Sequence, residues 1–208
     1  MPAWDLPLLK LINIEWSHPV LDYVMPAVSA IEAWIPLFVI AGLWVAWKGG
    51  RRGRFLLLGI GIAVGLGDGV VSKSLKESFG RVRPRDEVAG LVIRDLGLAS
   101  PAFMRLFVAP QQRISEVRAE LRGKSMPSSH TVNMFALATV VALSSRRWGW
   151  VLFTVAAAVA YSRVYNAAHW PSDIPISMGI GLLMGMLGHA FVVWALRKWP
   201  GQPLPSDA

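Results

Sequence analysis

Two histidines stand in settings that suit them to different chemistry. His169 has Asp173 four residues after it. A carboxylate bonded to one ring nitrogen fixes the tautomer and leaves the other nitrogen free to attack an electrophile. His130 has no such local partner and follows Pro127-Ser128-Ser129, where it can give a proton to a departing oxygen. Permanent cations accompany both. Arg83 and Arg163 can each clamp a tetrahedral oxyanion through paired N–H donors, and Lys76 adds a point charge. Ser128 and Ser129 open a helix after a proline, where unpaired backbone N–H groups and the helix dipole favour an anion. The set reads as a phosphate cradle with no evident metal-ligand cluster. The chain has no cysteine, which removes thiolate metal sites and disulfides.

Something must hold three distant segments on one face. The 208 residues are 54% apolar and 16% charged, a balance that points to lipid as solvent, and ten tryptophans and 19 glycines agree with it. Five apolar stretches are predicted to cross a bilayer: Tyr23 to Trp47, Phe55 to Val71, Pro127 to Leu143, Trp148 to Tyr165 and Ile174 to Leu196. Residues Trp4 to Trp16 carry Leu6, Leu9, Ile12 and Trp16 at helical spacing, with Lys10, Asn13 and Glu15 elsewhere, which predicts a short interfacial helix. The expected fold class is therefore all-α, a polytopic membrane helical bundle forming one domain over residues 1–199. Residues 200–208 are rich in proline and predicted to be a disordered tail.

The net charge of +8 comes from basic clusters between apolar stretches, so it is read as membrane topology and not as nucleic-acid binding. Lys48, Arg51, Arg52 and Arg54, then Arg146 and Arg147, then Arg197 and Lys198 mark the cytoplasmic ends. The N-terminus, residues 73–126 and the turn from Asn166 to Asp173 then share the opposite face. Residues 73–126 hold 11 Lys or Arg against six acids, an excess assigned to anion binding. Short helical patterns are expected within it at Phe103 to Val108 and Ile114 to Arg122, and Arg105, Arg113 and Arg118 are candidates to attract a polyanionic headgroup. No basic region precedes an apolar run at the N-terminus, so no signal peptide is read. Gly61, Gly65 and Gly69, and separately Gly181 and Gly185, recur every four residues and predict close helix packing. Asp68, Ser72 and Lys76 share that spacing, which makes Asp68 a candidate to support Lys76 from behind.

Lys76-x6-Arg83-Pro84, Pro127-Ser128-x-His130 and Ser162-Arg163-x5-His169-x3-Asp173 resemble, in order and spacing, the three signatures of the type 2 phosphatidic acid phosphatase superfamily. Asn13, His18-Pro19, Leu21-Asp22 and Ser29 are similar to the entry of the first span in small bacterial members. The resemblance implies a helical membrane enzyme in which His169 is transiently phosphorylated, Asp173 orients it and His130 is the general acid. Lys76, Arg83, Ser128 and Arg163 would bind the phosphoryl group. Ser129 stands where most members have glycine; its backbone N–H still serves as an oxyanion donor. The implied protein acts on a lipid phosphate in the bilayer, uses no cofactor or metal, and sits in a bacterial inner membrane with its site facing the periplasm or exterior. Small size and the N-terminal pattern favour undecaprenyl diphosphate as substrate. Lipid A and phosphatidylglycerophosphate are the alternatives, as is transfer of the phosphoryl group to a lipid acceptor instead of water.

Overall fold

A computed structural model describes residues 2–118 and 123–199; the tail expected at 200–208 lies outside the described residues. The chain begins with α1 (Asp5–Lys10), which runs through a π-helical turn (Leu11–Glu15). Next comes α2 (Pro19–Ser29), opened by Pro19 in the first turn and by His18, whose Nδ1 accepts from the Val20 N–H at 3.2 Å. α3 (Ile31–Lys48) and α4 (Gly50–Leu66) form a helical hairpin, and α4 continues through a π-helical turn (Gly67–Ser72) into α5 (Lys73–Phe79). After the short α6 (Pro84–Glu87) come strand β1 (Val92–Asp95), a 3₁₀ turn (Ala102–Phe107) and strand β2 (Gln111–Ile114). Three long helices close the fold: α7 (Ser129–Ser144), α8 (Arg146–Tyr165) and α9 (Asp173–Lys198).

The first apolar stretch is not one helix. It is divided at Ala30, whose ψ of 73° leaves the helical region, and Trp34 Nε1 donates at 2.8 Å to the Ala27 carbonyl that the break frees. Three helical runs, Ile31–Lys48, Gly50–Glu87 and Asp173–Lys198, are long and apolar enough to cross a membrane. α7 is apolar but only 16 residues long, and α8 starts on Arg146-Arg147 and ends beyond Arg163. α3 turns Ile40, Leu43, Trp44 and Trp47 outward, each more than 60% exposed, a surface suited to hydrocarbon and not to water.

α7 is the centre of the bundle. Phe135 and Ala138 pack on Ala156, Val159 and Ala160 of α8, while Ala136 and Val140 meet Ala63 of α4 and Val192 of α9. Glycines set the closest approaches. A Cβ on Gly181 would stand 2.6 Å from the Val132 carbonyl, and one on Gly185 would stand 2.7 Å from that of Ala136. The pattern expected at Gly61, Gly65 and Gly69 is different, because these face open space. The small-residue stripe that α4 packs is Gly59, Ala63 and Gly67, two positions earlier and so on the opposite side of the helix, and Gly59 meets Gly188 of α9.

Two further departures lie in the cap over one end of the bundle. β1 and β2 pair antiparallel, with Val92 opposite Ile114 and Asp95 opposite Gln111, so the otherwise helical chain carries a two-stranded sheet. Ile114 therefore ends a strand where a helical pattern was expected, and residues 119–122 of that pattern lie outside the described residues. The 3₁₀ turn falls on the expected Phe103 to Val108. The N-terminal helix keeps its spacing but not a purely interfacial setting: Leu9 and Ile12 bury against Leu91, Tyr165 and Trp170, while Trp16 stays exposed. Asn13, read as polar surface, is fully buried because its amide bonds the backbone of both Val92 and Tyr165.

Candidate active site

His169 sits in the connector between α8 and α9. The connector folds back tightly: the N–H groups of Ala168 and His169 both donate to the Arg163 carbonyl, at 2.9 and 3.1 Å, and Ala167 takes a φ of 55°. The turn leaves the His169 side chain 2% exposed. Burial disfavours the imidazolium and outweighs the attraction of Asp173, while Arg163 and Arg83 repel it further, so the His169 pKa is pushed down to about 4. The ring is neutral at physiological pH, the state a nucleophilic nitrogen requires.

Asp173, the first residue of α9, is wholly buried and heavily engaged. Its Oδ2 accepts from Ser125 Oγ at 2.6 Å and from the Trp170 N–H at 3.0 Å, and its Oδ1 accepts from Arg81 Nη1 at 2.5 Å. His169 Nδ1 lies 3.7 Å from Oδ2, beyond hydrogen-bond length, and has no other partner among the described residues. A neutral ring with Nδ1 facing this carboxylate carries its proton there, which turns the other nitrogen, Nε2, into the free lone pair.

α7 brings the second motif. Ser128 is the N-cap: its Oγ accepts from Thr131 Oγ1 at 3.1 Å, and its own N–H is spent on Ser177 Oγ at 2.8 Å. The first-turn N–H groups of Ser129 and His130 have no partner among the described residues and are left for an anion, while the Ser128 hydroxyl proton stays free to donate. Lys76 Nζ, from α5, donates to Ser129 Oγ. Arg163 Nη1 donates to Ser29 Oγ at 2.7 Å, and Ser29 in turn shares a 2.8 Å hydrogen bond with Ser162, so the break after α2 steadies this guanidinium. Arg83 is half-buried, and the backbone two residues on, the Arg85 N–H, donates to the Ala167 carbonyl at 3.2 Å.

Lys76, Arg83, Arg163 and His169 all lie within electrostatic reach of His130. All three motifs thus meet at one end of the bundle. Asp68 is half-buried two helical turns before Lys76 and forms no ion pair with it. Among the described residues, no group of three or more His, Cys, Asp or Glu comes together to hold a metal ion.

Sequence reasoning missed the groups behind the site. Arg81, counted only among the 11 basic residues of 73–126, places its guanidinium between two buried carboxylates, Asp173 and Asp5, the latter from the first turn of α1. Asp5 also accepts from the N–H and hydroxyl of Ser172, at 2.8 and 2.6 Å. Arg81 lies 5.3 Å from the centre of the Trp170 ring, whose Nε1 donates to Val82. A second buried arginine, Arg94, ties the hairpin down: its Nε is 2.5 Å from Asp22 Oδ1, and Nη1 reaches the carbonyls of Asn13 and Tyr165. A cavity of about 520 Å³ is lined by His130, Arg163 and Ala168 together with Arg85, Arg105 and Arg113, and by the acids Glu32 and Asp95.

A family model described as the PAP2 superfamily matches residues 53–197. The lipid A 4'-phosphatase of Porphyromonas gingivalis is 24% identical over 91% of this chain and 74% of its own length. The undecaprenyl-diphosphatase BcrC of Bacillus subtilis is 28% identical over 50% of this chain and 53% of its own. The crystal structure of Aquifex aeolicus LpxE shares the fold, with a TM-score of 0.63 and 23% identity over 90% of this chain and 95% of that one. The family match runs from α4 into α9 and spans both histidines, and with the membrane relatives and the apolar helices it makes this an integral membrane protein that belongs to the PAP2 superfamily.

Proposed function

We propose that this protein is a metal-independent lipid phosphatase working through a phosphohistidine on His169. The observation that carries the reading is a buried His169 facing the Asp173 carboxylate, with Lys76, Arg83 and Arg163 gathered with it around His130. Lys76, Arg83 and Arg163, with the N–H groups of Ser129 and His130 and the Ser128 hydroxyl, hold the phosphoryl oxygens and stabilise charge as it spreads in the transition state. The Nε2 lone pair of His169 forms the N–P bond as the bond from phosphorus to the lipid oxygen breaks. That oxygen takes a proton from His130, whose ring binds that proton once an anionic phosphate offsets the surrounding cations. The phosphorylated ring is cationic with its proton on Nδ1, and Asp173 balances it. Water, losing a proton to the now neutral His130, then attacks phosphorus, the N–P bond breaks and inorganic phosphate leaves. Both histidines return to their starting states.

Five crossings by α2–α3, α4, α7, α8 and α9, within a single domain over residues 1–199, fit the charge pattern. Arg51 Nη1 donates to the Trp199 carbonyl, which supports one shared end for the basic clusters, and the site occupies the other. On that reading residues 73–126 and the site face the periplasm or exterior of a bacterial inner membrane. Undecaprenyl diphosphate remains a candidate substrate from the small size and the BcrC likeness. Lipid A is the second, favoured by the breadth of the match to the Porphyromonas gingivalis enzyme.

The test is phosphate release from each lipid by detergent-purified protein, without added divalent metal and beside His169→Ala. Release by the wild type alone supports the mechanism and names the substrate. Release by both proteins would sink the histidine nucleophile, and dependence on added metal would sink metal independence.

A further inference from the structure

Resting on the lipid phosphatase reading, the geometry points to a second anion subsite, formed by Arg105 and Arg85 in the outer cavity, for an anionic headgroup group separate from the phosphate at His169. The cavity of about 520 Å³ lies within the range of about 300–1,000 Å³ typical of sites that enclose a whole small molecule, far more than one phosphoryl group fills. Its outer wall is strongly basic, and its cations are not equivalent. Arg94 is neutralised by Asp22, and Arg113 lies 3.5 Å from Asp95. Arg85 and Arg105 have no carboxylate within ion-pair distance among the described residues, and Arg105 Nε is buried without an acceptor. A buried charged donor without an acceptor has lost its hydration with nothing in exchange, so a basic wall built this way is suited to an incoming anion.

Arg105 reaches the cavity from an element that carries none of the three motifs, while Arg85 stands near enough to Arg83 and Arg163 to act on both electrostatically. Arg105 comes from the 3₁₀ turn, which packs against α3 and is held to α2 where Tyr23 Oη donates at 2.7 Å to the Leu106 carbonyl. Arg85 comes from α6, with its N–H on the Ala167 carbonyl. Neither arginine touches His169 or Asp173. The favoured substrate is a lipid whose polar part carries the scissile phosphomonoester and, across an uncharged bridge, a second phosphate or equivalent anion.

Two probes isolate the subsite: dioleoyl phosphatidate, with one phosphate, and dioleoyl phosphatidylglycerophosphate, with a phosphomonoester and a phosphodiester across glycerol. Arg105→Gln is expected to lower kcat/KM for phosphatidylglycerophosphate about tenfold through KM and to change phosphatidate less than twofold, with Arg105→Lys retaining most of the difference. An equal loss on both lipids would overturn the subsite. Binding of the same lipids in detergent to His169→Ala protein reads the subsite without turnover. A preference for phosphatidylglycerophosphate that disappears in His169→Ala/Arg105→Gln supports it even if neither lipid is hydrolysed, an outcome that would count against the phosphatase reading alone. No preference overturns it. Inorganic phosphate separates the headgroup from free product: inhibition unchanged by Arg105→Gln supports the headgroup assignment, and inhibition abolished by it would make this a product site instead.

Discussion

Arg81 donates Nη1 to Asp173 Oδ1 at 2.5 Å, so the carboxylate that faces His169 is itself held by a cation, and that cation's other terminal nitrogen is held by Asp5. Asp173 accepts three hydrogen bonds and Asp5 anchors the turn before α9 through Ser172, so one connected polar network runs from the first turn of α1 to the carboxylate that faces His169. Networks that orient a ligating or catalytic ring contribute to activity without touching substrate.

Asp5→Asn should therefore lower kcat by about tenfold to hundredfold and leave KM within about threefold. Arg81→Ala should be worse, because it strands two buried carboxylates at a cost of about 3–5 kcal/mol, and it should also lower the melting temperature in detergent. Steady-state kinetics beside thermal unfolding check both. A large KM effect with unchanged kcat would place Arg81 in substrate binding instead.

His169→Ala should abolish turnover, by a factor on the order of 10⁴ or more, and His130→Ala should cost about 10²–10⁴ in kcat. Rapid quenching into base, where phosphohistidine survives, should recover labelled phosphate on the wild-type protein and none on His169→Ala. Labelling of both would assign the intermediate elsewhere.

The His169 pKa has a thermodynamic signature. The native state holds it near 4 while the unfolded chain titrates near 6.5. Between those values the unfolded state binds more protons, so stability falls as pH drops through 6.5 and stops falling, for this group, below about 4. Wild-type protein should lose more melting temperature than His169→Gln across that window. Parallel curves for the two proteins would show that His169 titrates normally.

Glycine positions give a packing test. A Cβ on Gly188 would stand 2.5 Å from the Gly59 carbonyl, so Gly188→Ala should destabilise by about 1–3 kcal/mol. Gly61→Ala meets open space and should be neutral or stabilise by up to about 1 kcal/mol through helix propensity. Detergent unfolding midpoints distinguish these outcomes.

What sequence could show follows from how local each signal is. That the three motifs share one end of the bundle was legible because each stands at the end of an apolar stretch, and Gly181 with Gly185 because four-residue repeats survive in any straight helix. The Gly61 series had the same period but the wrong phase, since α4 selects its inner face by what α9 offers at Gly188 and Val192. The break at Ala30 escaped notice because no glycine marks it; Ser29 and Trp34 stabilise it through contacts that only the folded chain provides. Each hairpin strand is four residues long, too short for alternation to register, and the pair is held by Asn13, which lies 79 residues before Val92 and also accepts from Arg94 of β1. Arg81 and Asp5 lie 76 residues apart, and nothing near either in the chain announces the other.

The bond between Asp5 and Ser172 spans 167 residues, which gives the site an order of completion in time. At a synthesis rate of about 5–20 residues per second, Asp5 emerges roughly 8–33 seconds before its partner exists. During that interval the first turn has no way to assemble around His169, whose buried setting is completed only once residues 172 and 173 have been made.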